Sequence, residues 1–426
     1  MQCRLQIFKD DRWIDCATLA VQQGKRGGSV FEYDLDYAFS DALEPVSLRF
    51  PVDANHHTYA RWPPFFYDLI PQGCGRSFLR GELNLADGPG ADFHLVRAGA
   101  INPIGRVRVA EAVEYFEQHI QRHEARGMDQ GFTLDEIVAR GDAFHERMIL
   151  RSMLAAGTTG VQGAAPKYLL TRDRHGLWHA DGALADAQAA AHYIVKRPRG
   201  RTAADRKVLK NEAAYMQVAT AMGIRTHGLV ERHGGALFIP RFDRVVDNGK
   251  VVRLHQESAA SLAGLVGFDA RPSQFELLHA LRRVVTDKTG ETIEFLKRDV
   301  LNLAMRNTDN HARNTAVQQI GKEVRLTPLF DFAPMYLDPE GIARAARWYH
   351  PQTRKELSDW REVVAALALD EAETTRICRE LVQFGEPMRE LLTHMREAGV
   401  DEDIIAFLRP SIEEQIRRLD ALGGNT

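Results

Sequence analysis

Hydrophobic and polar positions alternate at the start of the chain and fall into helical periods towards its end. Leu5-Gln6-Ile7-Phe8 and Val30-Phe31-Glu32-Tyr33 carry the two-residue period of half-buried strands. Val46-Ser47-Leu48-Arg49-Phe50 predicts another strand, ended by Pro51, and the apolar run Phe65 to Ile70 stops on Pro71-Gln72-Gly73. Past residue 111 the period lengthens, and Thr133-Leu134-Asp135-Glu136 ahead of Ile137 reads as a capping box. Tyr168-Leu169-Leu170 and His192-Tyr193-Ile194-Val195-Lys196 predict strands, the second halted by Arg197-Pro198. From Asn211 to Gly223 the residues Tyr215, Val218, Ala219 and Met222 share one helical face, closed by the glycine. Ala236-Leu237-Phe238-Ile239 predicts a strand broken at Pro240, and Val324-Arg325-Leu326 a short one. Phe275 to Val285 and Ile293 to Met305 are apolar on more than one face, as buried helices are. Beyond residue 355 the pattern is helical, with Ser411-Ile412-Glu413-Glu414 after Pro410 read as a capping box and Ile412, Ile416 and Leu419 as a core stripe. The divisions expected are a β-rich module over 1–125, a mixed segment over 126–245 and a helical segment over 246–426.

Composition narrows the class. With 426 residues, 44% hydrophobic and 27% charged, the chain can bury two or three cores and is not of disordered type. A formal net charge of −3 gives no general attraction to nucleic acid or anionic membrane. Cys3, Cys16, Cys74 and Cys378 are too far apart for a metal knuckle and are read as reduced structural thiols. The N-terminus begins like a strand, without the apolar core of a signal peptide, and no apolar run is long enough to cross a bilayer. A cytoplasmic location is expected.

The densest chemistry lies in Asn307-Thr308-Asp309-Asn310-His311-Ala312-Arg313-Asn314, followed by Asp331-Phe332-Ala333. Phosphoryl transfer needs a carboxylate to orient the acceptor hydroxyl and oxygen ligands to hold Mg²⁺ across the phosphates. Asp309 fits the first task, and Asn314 with Asp331 the second; the alternative is a polar loop whose Asn and Asp side chains only make turns. The five-residue step from Asp309 to Asn314 matches the Asp-to-Asn step of the kinase loop H-R-D-x-x-x-x-N, and Asp331-Phe332-Ala333 is like D-F-G with the glycine replaced. Lys196 at a strand end and Glu212 in the next helix match the pair that positions a phosphate-binding lysine in kinases, or are an ordinary surface lysine and glutamate. Pro240 could mark a hinge where a purine meets main-chain polar groups, or an ordinary strand exit into a solvated Arg241-Phe242-Asp243-Arg244 turn. Gly157 to Lys167, with Val161, Gln162, Gly163, Ala164 and Ala165, reads either as a phosphate cradle or as a plain Gly/Ala-rich turn; it lacks Walker A spacing.

Taken together with Leu254-His255-Gln256-Glu257, Arg325-Leu326-Thr327-Pro328-Leu329-Phe330-Asp331, residues 66–73 and residues 98–109, these motifs resemble HipA-type serine/threonine kinases, the toxins of bacterial type II toxin-antitoxin systems. The resemblance covers most of the chain and is least distinct over the last seventy or so residues. It implies an α+β, two-lobed, protein-kinase-like fold, with a β-rich N-terminal subdomain over 1–125, a nucleotide-binding lobe over 126–245 and a helical catalytic lobe over 246–426. By the same resemblance Asp309 is the catalytic base, Asn314 and Asp331 hold Mg²⁺, and Lys196 contacts the ATP phosphates. Val161 to Lys167 would cover the triphosphate, His311 would lie beside it, and Ile239, Pro240 and Arg241 would border adenine. The implied substrate is an aminoacyl-tRNA synthetase, and the implied partner a helix-turn-helix antitoxin that binds operator DNA. Self-phosphorylation is implied near the glycine-rich loop, with Thr159 the first candidate and Thr158 and Ser152 behind it. The three residues Gly163-Ala164-Ala165 lengthen the family loop, and Ser258 stands where an acidic residue is common, which marks a divergent branch. A small-molecule phosphotransferase and a catalytically idle scaffold in a DNA complex are the alternatives. The full set of Lys196, Asp309, Asn314 and Asp331 argues against the idle scaffold.

Overall fold

The computed structural model describes residues 1–22, 28–40, 44–123, 131–139 and 167–424. Its contacts divide into two compact units, Met1–Arg199 with His233–Phe268, and Gly200–Arg232 with Asp269–Thr426.

The first unit is β-rich. Strands β1 (Gln2–Lys9), β2 (Arg12–Val21), β3 (Ser29–Tyr33), β4 (His57–Tyr59) and β5 (Val107–Val109) form an antiparallel sheet in the order β4-β3-β2-β1-β5. Alternation sends Leu5, Ile7, Leu19 and Phe31 to the buried face, where Phe31 meets the edge of Phe65 at 5.2 Å between ring centroids. Val46 to Phe50 is not the strand its pattern predicts. The Ser47 hydroxyl and the Leu48 N–H donate to the Glu257 carboxylate at 2.6 and 2.7 Å, and Phe50 N–H closes a turn onto the Ser47 carbonyl. A buried carboxylate thus takes the place of a ladder partner. The apolar run Phe65 to Ile70 lies largely in a 3₁₀ helix, Pro64–Asp68, with proline in its first turn. The four cysteines are free, and burial raises the thiol pKa of Cys3 and Cys16.

A second sheet contains β6 (Lys167–Asp173), β7 (Trp178–Ala180), β8 (Ala189–Lys196) and β9 (Ala236–Pro240), with β6 between β7 and β8, and β8 between β6 and β9. Trp178, Phe238, Tyr168 and Val195 pack its core, together with Ile137 from the helix Leu134–Ala139 that Thr133 and Glu136 cap as expected.

The second unit is mainly helical. Helix α1 (Ala203–Ala221) starts eight residues before the expected Asn211, because Thr202 and Asp205 form a capping box with an aspartate in place of Glu or Gln. Helix α2 (Gln274–Val284) opens with a Ser273–Glu276 capping box, and α3 (Lys288–Ala304) is capped by Asp287. Residues Ile293, Leu296, Val300 and Leu301 fix α3 in the core between α2, α4 (Glu371–Arg389) and α5 (Glu402–Gly423). Pro410 and Ser411 do not start a helix but lie inside α5. The Ser411 hydroxyl shares its proton between the Leu408 and Ala304 carbonyls, each 2.8 Å away, and so serves the C-terminal end of α3. None of the described helices is long and apolar enough to cross a membrane.

After α3 the chain enters the Asn307 to Asn314 loop, runs through the antiparallel hairpin β10 (Ala316–Ile320) and β11 (Glu323–Leu326), and returns to Asp331. Gly321 turns the hairpin with φ +60°, a conformation glycine adopts without strain. The hairpin carries Asp331 back beside residues it follows by about twenty positions.

Candidate active site

Within the second unit, Asn302, Asn307, Asp309, Asn310, Asn314 and Asp331 line one small cavity of about 30 Å³, with Phe295 and Leu329 at its apolar wall. That volume suits a water molecule or a small ion. The buried helix α3 supplies Asn302 on its last turns, and the loop after it is held by its own amides. Asn307 Nδ2 donates to Asn302 Oδ1 at 3.0 Å and to the Asp331 carbonyl at 3.3 Å. Asn314 Nδ2 donates to the Asp309 carbonyl at 2.7 Å, which turns Asn314 Oδ1 the other way as an available acceptor.

Asp331 sits at φ +52°, a left-handed conformation that costs a non-glycine residue roughly 1–3 kcal/mol. Its surroundings hold it there: Asn307 takes its carbonyl, and the next residue, Phe332, is fully buried against Tyr215 with ring centroids 5.3 Å apart. His311 Nδ1 accepts from the Arg313 N–H at 3.2 Å, so its ring proton belongs on Nε2, 3.7 Å from Asp309 Oδ1. The Asp309 side chain is about a quarter exposed at 26%.

The buried oxygens Asn307 Oδ1 and Asn310 Oδ1 have no hydrogen-bond partner among the described residues. Buried orphans of this kind are the groups that an ordered water or an ion satisfies. The donor set is all oxygen, carboxylate and amide carbonyl, which matches a hard divalent cation such as Mg²⁺ and not zinc. Among the described residues no three His, Cys, Asp or Glu side chains converge as metal ligands. Mg²⁺ does not need them, since it keeps waters and phosphate oxygens in its shell.

In the first unit, Lys167 and Lys196 are directly opposed partners on β6 and β8, both buried and on one face of the sheet. Ile239 and Pro240 pair with Ile194 and Tyr193 across β8 and β9. At Arg241 the solvated-turn alternative does not hold. Its guanidinium is buried, donating to Asp243 at 2.9 and 2.7 Å and to Asp181 at 2.7 Å, and its main-chain N–H bonds to the His192 carbonyl. Asp243 also accepts from Arg244 at 2.6 Å and from the Gly105 N–H at 2.9 Å. Burial acts to raise the Asp181 and Asp243 pKa values, but Arg241 and its neighbours outweigh it and hold both carboxyls well below the usual carboxylate range. Burial and the adjacent Arg241 pull Arg244 down to about 9. These charges hold residues 102–105 against the second sheet of the same unit. The alternation rule could not find them, because a charged tetrapeptide at a strand exit is usually solvated.

Glu212 is buried on α1 of the second unit. Thr159, Val161, Gln162, Gly163, Ala164 and Ala165 lie outside the described residues. Sequence reasoning missed Asn302, Asn307 and Asn310 as cavity residues; their signal was the unusual density of asparagine around Asp309, together with one asparagine in an otherwise apolar helix end.

Two family models match the chain: the HipA N-terminal domain over residues 14–110 and the HipA-like C-terminal domain over residues 159–386, more than half of the sequence. Among solved structures, HipA from the Shewanella oneidensis MR-1 toxin-antitoxin complex of HipA, HipB and operator DNA superposes with a TM-score of 0.64 at 19% identity, covering 98% of this chain and 97% of that one. At that identity the likeness is one of fold. The Helicobacter pylori proinflammatory kinase CtkA matches with a TM-score of 0.38 at 13% identity over 55% of this chain and 89% of its own. No curated protein matches.

Proposed function

The chain belongs to the HipA family, and on that premise we propose that it is an ATP- and Mg²⁺-dependent serine/threonine protein kinase acting as a toxin. The observation that carries this reading is the meeting of Asp309, Asn314 and Asp331 around one oxygen-lined cavity whose amide orientations leave acceptors unclaimed. Asn314 and Asp331 would hold Mg²⁺ there. Bound Mg²⁺-ATP supplies the phosphoryl group and neutralises charge that develops on it.

Asp309 orients the acceptor hydroxyl and accepts its proton late, with His311 Nε2 beside the carboxylate at 3.7 Å as an electrostatic neighbour. Lys196 binds the phosphates, and its cross-strand neighbour Lys167 adds a second cation on the same face, to which a polyphosphate is complementary. We assign Glu212 to the same task, Val161, Gln162, Gly163, Ala164 and Ala165 to the cover over the triphosphate, and Ile239, Pro240 and the Arg241 main chain to the border of adenine. The functional division follows the boundaries 1–125, 126–245 and 246–426. The substrate class is an aminoacyl-tRNA synthetase, with self-phosphorylation at Thr159 and a cytoplasmic site of action. A helix-turn-helix antitoxin and its operator are the partners, supported by the presence of HipB and operator DNA in the Shewanella complex.

The test is transfer of radiolabel from ATP to protein in a cell extract by the wild type and by Asp309→Gln. Label should be lost in the variant, and equal incorporation by both would overturn the assignment. Asp331→Ala should separately abolish the thermal shift produced by ATP with Mg²⁺.

A further inference from the structure

Downstream of Asp331 the chain passes through Ile342, Ala343, Arg344 and Ala345 without helix, turn or bend. None of the main-chain N–H or C=O groups of these four residues makes a hydrogen bond among the described residues. Ala343 is exposed and the other three are half-buried. An unpaired run of main-chain donors and acceptors is the feature by which a strand edge takes up another chain.

The run stands on a rigid base. Asp299, buried on α3, receives the Arg344 guanidinium and Trp348 Nε1, the latter at 2.7 Å. Arg344 Nε donates to the Ala346 carbonyl at 2.9 Å, and Trp348 packs edge-on against Phe275 at 4.7 Å. Arg347 forms a parallel bridge with Ser273, and its carbonyl accepts from the Gln274 N–H at 2.8 Å. The residue that follows the run is tied next to the candidate base: Asn310, which follows Asp309, donates its amide to the Ala346 carbonyl at 3.0 Å. Ala343 precedes Ala346 by three residues and so lies within ~11 Å of it.

We propose that residues 342–345 form the docking edge for the acceptor, onto which an extended polypeptide segment adds as a short strand and presents its serine or threonine hydroxyl to Asp309. The proposal rests on the kinase reading and narrows its substrate class. An extended peptide carries N–H and C=O groups at the spacing this edge requires, whereas a small-molecule acceptor has no ladder to offer. Small side chains at Ala343 and Ala345 leave the edge open to a main chain, and the fixed base keeps the ordering cost of docking low.

The probe is a serine-centred peptide library, with members N-methylated at single main-chain positions, incubated with the full chain and labelled ATP. In a strand, alternate residues turn their N–H groups to the same edge. Methylation at one parity should therefore raise the acceptor KM roughly tenfold while the other parity is tolerated, the size expected for one or two lost hydrogen bonds. Proline at 342 and at 343, as Ile342→Pro and Ala343→Pro, should show the same alternation from the enzyme's side. Equal labelling of methylated and unmethylated peptides overturns the docking edge and leaves the kinase reading in place. So does a library that takes no label while the wild type still hydrolyses ATP and Asp309→Gln does not. ATP turnover that Asp309→Gln leaves unchanged overturns both.

Discussion

The charge cluster of the first unit and the polar cavity of the second are built from the same kinds of residue and are suited to opposite ends. Asp181 and Asp243 are almost wholly buried, and each accepts hydrogen bonds on both oxygens, from Thr171, Asn102 and Arg241 in one case and from Arg241, Arg244 and the Gly105 N–H in the other. Their acceptor capacity is taken up by the fold. Around Asp309 and Asp331 the amides of Asn307 and Asn314 are tied down through their N–H groups, and Asn307 and Asn310, which line the cavity, have buried carbonyl oxygens without partners among the described residues. A buried charge with all its lone pairs matched is a structural device, and unmatched oxygen at a cavity wall is what a cation or a reacting hydroxyl can use.

The strongest test of this contrast is Asp309→Gln, which should lower label transfer by about 10²–10⁴-fold, the range for loss of a general base. Its folding free energy, from urea unfolding, should stay within about 0.5 kcal/mol of the parent, since the side chain is partly exposed. Asp243→Ala should do the reverse. It leaves Arg241 and Arg244 with an unmatched buried charge, and a loss of roughly 3–5 kcal/mol is expected in the same experiment.

Acid should single out the same cluster. The folded pKa values of Asp181 and Asp243 are depressed, so their stabilisation is complete above the unfolded carboxylate pKa of about 4. It declines as pH falls from there towards the lower folded values. Unfolding free energy measured from neutral to acid pH should drop more steeply for the parent than for Asp243→Ala, and parallel curves would remove the cluster from the account.

Asp299 sharpens the comparison because it lines the cavity yet accepts from Arg344, Trp348 and Gln274. By the saturation argument it belongs with Asp181. Trp348→Phe removes this donor together with one ring of the buried indole, so a stability loss of about 1–3 kcal/mol is expected. Loss of ATP-dependent thermal shift without any stability change would place Asp299 among the ligands instead.

Legibility differed between these regions for a physical reason. Asp309 and Asn314 are five positions apart on one loop, and Asp331 follows a single hairpin, so the spacing in sequence already implies proximity. Strands β1, β3, β6, β8 and β9 and helices α2 and α3 could be read because their periods match burial on one face or all round. The pattern misled where a distant side chain replaced a local partner. Ser47 and Leu48 turn to Glu257, and the Ser411 hydroxyl serves α3 rather than starting a helix.

Periodicity and short-range spacing alone indicated helices α2 and α3 and strand β11 around the candidate loop, the candidate base and the two candidate metal ligands. Tertiary structure decided which charges are matched: that Arg241 is bound within a buried cluster, that Asn307 and Asn310 keep unclaimed oxygens, and that residues 342–345 leave a main-chain edge unpaired. Whether a polar atom is satisfied depends on neighbours brought from far along the chain, and no local pattern encodes that count.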